Sequence, residues 1–331
     1  MTRTAARLAP FALASTLALT ACSSGATQAG GTASEGGEGT ITITDNTGQV
    51  QVPANPARVV ALDNTSFETL HAMGVKPVAV PKRLLPNSMQ AWNDDPEILD
   101  VGTHTEPKLE VINEAAPDLI VGGKRFLRHT DTLKTIAPVV DLAPSVEQSG
   151  YLDKLKNQTT ALGQIFGQEE MATQLGQELD TASQAAAQST TGQSVFLANH
   201  NGGKIDNGAG RMAPLIQPLG MTDVFAATDQ PTGGSATPGS ESVHQDSGLA
   251  PETIAAVDPD WMFVMDRDAA TAEPGETVTA AKSTVDAQRA WANTTFMQRN
   301  QVVYLEPDFY TTEGIQAYTR AYQAINTTAS Q

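Results

Sequence analysis

The sequence is poor in cysteine and in basic residues, and it has no apolar run long enough to span a bilayer. One Cys among 331 residues excludes a disulfide framework and a cysteine-rich metal cluster. Only 20 Lys and Arg residues stand against 37 Asp and Glu residues, a net charge of -17, which argues against a nucleic-acid partner. The apolar residues 8–21 fall short of the roughly 18 to 20 residues that a transmembrane helix needs. We expect a soluble body of about two globular units.

The first forty residues contain an export signal. Arg3 and Arg7 precede the apolar stretch, which ends in Leu-Thr-Ala before Cys22, and this order resembles the lipobox of bacterial lipoproteins. It predicts a lipoprotein signal peptide over residues 1–21 and a lipidated Cys22 followed by a flexible tether over residues 22–39. The expected location is the extracytoplasmic face of the cell membrane, held by the lipid anchor. An ordinary signal peptide with a chance Cys is the alternative.

The rest of the chain has the pattern of an α/β protein. Residues 40–52 alternate apolar and polar side chains around Asp-Asn-Thr-Gly, which predicts a β-hairpin. Short apolar strands then alternate with segments of helical periodicity, the first of these ending at Gly74. Alternation of this kind favours a largely parallel sheet.

The most informative feature is an internal repeat. Glu110 is followed by Ile, by Pro-Asp, by a buried-strand pattern and by Arg125, and Glu252 begins a second copy that ends at Arg267. The spacing is the same at each step, with 15 positions from Glu to Arg in both copies. Each copy predicts a helix stopped by Pro-Asp and a strand whose C-terminal end presents an Arg. Two similar lobes are the simplest interpretation.

The repeat divides the body into three parts. We predict an N-terminal α/β lobe over residues 40–148, an inter-lobe helical segment over residues 149–189 and a C-terminal α/β lobe over residues 190–331. The periodicity of the middle segment allows one long helix or two shorter ones. The fold class is therefore α/β, with two Rossmann-like lobes joined by a long inter-lobe helix.

The order and spacing of these motifs resemble the class III substrate-binding lipoproteins of bacterial ABC importers, in particular the branch that binds ferric siderophores of the catecholate type. The resemblance extends over about residues 40–325. The motifs that carry it are Val59-Val60-Ala61-Leu62, Val80-Pro81-Lys82, Pro117-Asp118-Leu119-Ile120, Gly210-Arg211, Val264-Met265-Asp266-Arg267 and Val303-Tyr304-Leu305-Glu306-Pro307.

The resemblance implies a monomeric receptor, not an enzyme, that binds a ferric siderophore between its lobes and delivers it to an ABC permease. It implies no intrinsic cofactor, because the iron complex is the ligand. The residues at the family's ligand-binding positions are Arg125, Arg211, Arg267, Lys82, His244 and Tyr310.

Two further sets of roles follow from the resemblance. His244 matches a position that can ligate iron, whereas Tyr310 lies one place before the family's ligating Tyr, which leaves its contact with the metal open. Glu110 and Glu252, one in each copy of the repeat, match the residues that dock the receptor on basic residues of the permease. A carboxylate at a helix start also has a purely structural use, worth about 0.3 to 1 kcal/mol.

Other functions stay open at this point. A haem or corrinoid carrier of the same fold is the main alternative, since one His and one Tyr could ligate haem iron. An anchored enzyme is more remote, because the sequence has no G-x-S-x-G, H-E-x-x-H or Walker A motif.

Overall fold

The computed structural model describes residues 39–146, 149–226, 249–273 and 275–331, so Cys22 and His244 lie outside the described residues. Its first element is an antiparallel hairpin of β1 (Thr40–Asp45) and β2 (Gly48–Pro53), which confirms the hairpin predicted from the alternating pattern. Ile43 and Val52 are its buried side chains, and they pack on the sheet that follows. The hairpin thus covers one flank of that sheet.

The next five strands form a parallel sheet in the order β5-β4-β3-β6-β7, called here the N-terminal sheet. The strands are β3 (Val59–Ala61), β4 (Ala79–Val80), β5 (Leu99–Asp100), β6 (Leu119–Gly122) and β7 (Val139–Asp141). The α-helices are α1 (Phe67–Ala72), α2 (Gln90–Asp94), α3 (Leu109–Glu114) and α4 (Thr130–Leu133). Leu119 and Val121 of β6 belong to one apolar core and Ile120 to a second. Because both faces are covered, the strand is apolar at every position.

Two helices, α5 (Tyr151–Phe166) and α6 (Glu169–Thr190), occupy the predicted inter-lobe segment, so it is not a single long helix. The break comes at Gly167, whose φ of 62° is the left-handed conformation that ends helices. Tyr151 at the start of α5 packs in the core of the second sheet, whereas Ile165 near its end packs in the core of the N-terminal sheet. The two cores are therefore joined by shared helices.

The remaining strands form the C-terminal sheet, in the order β10-β8-β11-β12, with β9 paired antiparallel on β8. The strands are β8 (Ser194–Asn201), β9 (Lys204–Asn207), β10 (Thr222–Asp223), β11 (Trp261–Asp266) and β12 (Val302–Tyr304). The α-helices are α7 (Ala209–Ile216), α8 (Pro251–Val257), α9 (Arg267–Thr271), α10 (Ala281–Ala287), α11 (Thr295–Gln298), α12 (Asp308–Thr312) and α13 (Ile315–Ala329). The α/β class predicted from the sequence is confirmed. None of the helices within the described ranges is long and apolar enough to cross a bilayer.

Both copies of the repeat take the same structure. Helices α3 and α8 precede the central strands β6 and β11, and the chain turns between helix and strand at Ala116 in one copy and at Asp258 in the other. Both residues have a left-handed backbone, with φ of 43° and 51°. The helix stop therefore lies two residues before the Asp of each Pro-Asp pair.

The Asp of each Pro-Asp pair fixes the neighbouring strand. Asp118 accepts a hydrogen bond of 3.0 Å from the backbone N–H of Arg58, which directly precedes β3. Asp260 accepts one of 2.9 Å from the backbone N–H of Ser194, the first residue of β8. In each sheet, an Asp of the repeat thus links the two central strands by a hydrogen bond.

Buried polar contacts also join the two halves of the molecule. The side-chain amide of Asn64 donates to the backbone carbonyls of Thr311, at 2.6 Å, and Thr312, at 3.2 Å. Gly314 lies so close to the carbonyl of Thr65 that a Cβ at this position would collide with it. Thr311 of this junction also lines the cleft described next.

Candidate functional site

A cleft of about 520 Å³ lies between the elements of the two sheets. The N-terminal side contributes the 3₁₀ turn Lys82–Leu84, residues of α2 and the start of the 3₁₀ segment Lys124–His129. The C-terminal side contributes α9 and α12. Four of the residues predicted to bind ligand line this cleft, namely Lys82, Arg125, Arg267 and Tyr310.

Arg125 and Arg267 reach the cleft from matched positions of the repeat. Arg125 follows β6 by three residues, and Arg267 is the first residue of α9, directly after β11. The side chain of Asp266 accepts a hydrogen bond from the backbone N–H of Ala269 and so fixes the start of α9. The carboxyl ends of parallel strands are where open α/β sheets bind ligands. The repeat thus directs one guanidinium from each sheet into a common space.

Neutral groups hold the guanidinium of Arg267. Its Nε donates to the hydroxyl of Tyr310 at 3.1 Å, and one terminal nitrogen donates to the side-chain oxygen of Asn201 at 2.8 Å. Tyr310 is 6% exposed and sits at the cleft wall. Neither of these partners is an anion, so they do not neutralise the positive charge of Arg267.

Arg211 does not line the cleft, although it contacts a residue that does. Its guanidinium carbon lies 4.2 Å from the ring centroid of Tyr310, and a terminal nitrogen donates to the carbonyl of the same residue at 3.0 Å. Its Nε donates to the carboxylate of Glu313 at 2.8 Å. The protein itself thus supplies both a counter-charge and hydrogen-bond acceptors for Arg211.

Glu313 also forms an ion pair with Lys124, which comes from the N-terminal sheet. Burial by itself would raise the pKa of Glu313, but the two cations Arg211 and Lys124 outweigh it and hold that pKa well below its ordinary value. The carboxylate is thus charged at any physiological pH. Sequence reasoning missed both Glu313 and Lys124; the only local signal is that Lys124 directly precedes Arg125.

Among the described cations that line the cleft, Arg125 has the least compensation from the protein. It is half-buried, and no hydrogen bond or salt bridge joins it to another residue within the described ranges. Burial and the positive charge of Arg211 nearby both lower the pKa of Arg125. A guanidinium stays protonated in proteins all the same. A buried charge in this situation favours an anion from outside the protein.

Two more basic residues lie at the N-terminal side of the cleft. The ammonium of Lys82 donates to the backbone carbonyls of Asn93, at 2.8 Å, and Asp95, at 2.9 Å. Arg83, which the sequence analysis did not single out, pairs with Glu273 of the opposite wall, and both side chains are mostly exposed. Lys82 therefore adds positive charge to the rim, and Glu273 is the acidic group of the described lining.

Glu110 and Glu252, the residues predicted to dock the permease, do not line the cleft. Glu110 and Glu252 are exposed in the first turns of α3 and α8, the two equivalent helices of the repeat. Among the residues that the structure describes, no group of three His, Cys, Asp or Glu side chains could hold a metal ion. His244 is outside those residues.

The chemistry of the cleft is that of an anion site. Arg125 and Arg267 offer forked donors that match paired oxygens. Amide and hydroxyl groups of Asn87, Gln90 and Thr103 complete the lining. The volume is that of a small-molecule site.

Two known proteins are similar in sequence over most of this chain. The petrobactin-binding protein of Bacillus subtilis (strain 168) is 26% identical over 302 residues, which cover 89% of each chain. The ferric-anguibactin-binding protein of Vibrio anguillarum is 23% identical over 284 residues, which cover 81% of this chain and 80% of that protein.

Solved structures agree in fold. The periplasmic catecholate-siderophore binding protein of Vibrio cholerae superposes with a TM-score of 0.72 at 23% identity, over 87% of this chain and 100% of that chain. A siderophore-binding protein with two acinetobactin molecules and ferric iron gives a TM-score of 0.72 at 21% identity, over 88% of this chain and 99% of that one. The family model described as periplasmic binding protein matches residues 59–309. The chain therefore belongs to the periplasmic binding protein family.

Proposed function

We propose that this protein is a receptor that binds a ferric siderophore in the cleft between its two sheets and delivers it to an ABC permease. One observation carries the proposal: Arg125 and Arg267, from matched positions of the repeat, line one cleft of about 520 Å³. The sequence relatives named for petrobactin and ferric anguibactin support the same ligand class.

The charge distribution suits such a ligand. A ferric complex with catecholate or carboxylate arms spreads negative charge over many oxygens, and guanidinium groups bind such oxygens in pairs. The net charge of the chain is -17, so attraction must arise from the cations of the cleft within a Debye length of about 8 Å. Arg125, Arg267 and Lys82 supply it, since none of the three forms a salt bridge with another described residue.

A titration tests the ligand class. The purified protein is titrated with ferric complexes of a catecholate, a hydroxamate and citrate, and with haem and cobalamin, and binding is followed by quenching of tryptophan fluorescence. We expect the tightest binding from an anionic ferric complex and weak binding of cobalamin, which lacks the charge. Preference for haem or cobalamin over all ferric complexes would contradict the proposal.

Delivery to the permease is assigned to Glu110 and Glu252. Both carboxylates are exposed, each in the first turn of an equivalent helix, so the repeat places one on each half of the molecule. Neither lines the described cleft. The Glu110→Ala, Glu252→Ala double variant should bind the ferric complex within about twofold of wild type but lose most uptake in cells that depend on this receptor.

Radiolabelled iron uptake and binding by the purified protein are measured on the same variants. Exposed Glu114, at the end of α3, provides the control Glu114→Ala, which should retain both activities. Uptake that survives in the double variant, or binding lost along with it, would refute the docking role.

The proposal also includes the anchor and the domain limits. Cys22 is the proposed lipid attachment site, and two or three acyl chains would hold the receptor at the extracytoplasmic face of the membrane. Residues 40–148 and 190–331 are the proposed lobes, with residues 149–189 between them. The receptor is proposed to act as a monomer.

A further inference from the structure

A buried carboxylate joins the two halves of the molecule directly behind the cleft. The side chain of Glu313 is 3% exposed and contacts two cations, Lys124 from the N-terminal sheet and Arg211 from the C-terminal sheet. Its own backbone has φ of 51°, and its carbonyl accepts a hydrogen bond of 3.0 Å from the hydroxyl of Tyr151. The residue is therefore held by both its backbone and its side chain.

A continuous series of contacts leads from this carboxylate to the cleft. Glu313 accepts from Arg211 at 2.8 Å, Arg211 lies on the ring of Tyr310 and donates to its carbonyl, and the Tyr310 hydroxyl accepts from Arg267 at 3.1 Å. Of these four residues, Tyr310 and Arg267 line the cleft. Glu313 and Arg211 do not line it, so their contacts reach a ligand through Tyr310 and Arg267.

We infer that Glu313 is a positioning residue for the anion site, acting through Arg211 and Tyr310 on the guanidinium of Arg267. This inference rests on the proposed function, because it concerns how the same cleft holds its ligand. The charges support it: Lys124, Arg125 and Arg211 are close together, and Glu313 is the anion among them. Without that anion the cations repel one another, and Arg211 loses the partner that holds it against Tyr310.

The test is a double-mutant cycle between Glu313→Gln and Arg267→Gln, with the affinity for an anionic ferric complex as the readout. Glu313→Gln keeps the shape of the side chain but removes its charge. We expect it to weaken binding about tenfold in the wild-type background and less than twofold when Arg267→Gln is already present. Equal losses in both backgrounds would overturn the inference, since they would mean that Glu313 does not act through Arg267.

Two further variants separate positioning from folding. Glu68→Gln removes another buried carboxylate that joins the two halves, through Arg320 at 2.9 Å, but has no contact with Tyr310. Glu68→Gln should leave the affinity for the ferric complex within twofold of wild type. Tyr310→Phe removes only the hydroxyl that accepts a hydrogen bond from Arg267. Like Glu313→Gln, it should weaken binding less when Arg267→Gln is already present, and it provides this test even where Glu313→Gln fails to fold. An additive cycle for Tyr310→Phe would likewise overturn the inference.

A readout without ligand distinguishes failure of this inference from failure of the proposed function. The NMR signal of the Arg267 Nε–H, assigned by its loss in Arg267→Gln, reports the hydrogen bond to Tyr310. We expect Glu313→Gln to shift and broaden this signal and Glu68→Gln to leave it in place. An unchanged signal in Glu313→Gln would refute the positioning role, whereas wild-type protein that binds no anionic ferric complex would refute only the proposed ligand.

Discussion

The Arg125→Gln, Arg267→Gln double variant should bind an anionic ferric complex about a thousandfold more weakly than wild type. Each single substitution should cost about ten- to a hundredfold, or about 1.5 to 3 kcal/mol, because a charge-assisted hydrogen bond to ligand oxygens is lost. The two guanidiniums lie on opposite walls, so their contributions should be nearly additive. Quenching titrations on all three variants give these affinities.

A control variant separates the local charge from the charge of the whole protein. Arg299 is 65% exposed and does not line the described cleft. Arg299→Gln removes one positive charge, as Arg125→Gln and Arg267→Gln each do, but removes it away from the cleft. It should alter the affinity by less than twofold. Comparable losses from Arg299→Gln and Arg125→Gln would show that binding depends on overall charge and that the cleft assignment is wrong.

Replacing Asp63 by Asn should change the pH dependence of stability between pH 4 and pH 8. Asp63 is fully buried, and burial raises its pKa to about 6 despite hydrogen bonds from the backbone and side chain of Thr65. Gln158 also donates to it, at 2.7 Å. The charges that act on it are those of Lys124, which lowers its pKa, and Asp141, which raises it.

The sign follows from the proton balance. The folded pKa of about 6 lies above the ordinary 3.8, so between these values the folded protein binds more protons than the unfolded chain. Stability from this group is therefore full below about pH 4 and is lost as the pH rises through 6, by about 3 kcal/mol. Asp63→Asn has no carboxyl group to ionise, so its stability does not fall in this way as the pH rises. The Gln158 amide can turn its unpaired buried oxygen toward the new amide group.

Urea unfolding between pH 4 and pH 8 measures this effect. The free energy of unfolding of Asp63→Asn, relative to wild type, should increase by about 2.5 kcal/mol from pH 4 to pH 7. The control Asp131→Asn changes an exposed carboxylate in the first turn of α4 and should show a flat difference. A flat difference for Asp63→Asn as well would mean that this carboxyl is not protonated in the folded state near pH 5.

The repeat was the part of the fold that sequence could predict best. Its spacing is exact because each copy performs the same local tasks: a helix stop, a Pro-Asp pair whose carboxylate holds the neighbouring strand, and a central strand buried on both faces. The residues of the repeat that perform these tasks span 15 positions in each copy, although the backbone N–H that the Asp binds lies 60 or 66 positions earlier in the chain. The same spacing also placed Arg125 and Arg267, which line one cleft.

The polar centre behind the cleft could not be predicted in this way. Glu313 lies 189 positions from Lys124 and 102 from Arg211, so no local period relates them. The resemblance named Arg211 as a residue that contacts ligand, but it carries no information on the carboxylate that the folded chain brings to it. Only the folded chain brings together Arg211 of α7, Lys124 after β6 and Glu313 after α12.

The break between α5 and α6 shows a second limit. Leu162 and Ile165 of α5, and Leu175 and Leu179 of α6, keep an apolar helical spacing on both sides of Gly167. That spacing is compatible with one helix or with two. The left-handed backbone of Gly167 decides for two, and it is a property of the folded chain.

A crystal structure of the protein with a bound anionic ferric complex tests the central claim most directly. The account predicts electron density for the chelate between the two sheets, with ligand oxygens within hydrogen-bond distance of both Arg125 and Arg267. Density in another place, for example in the cavity beside Trp291 on the C-terminal sheet, with Arg125 and Arg267 free of contact, would contradict it.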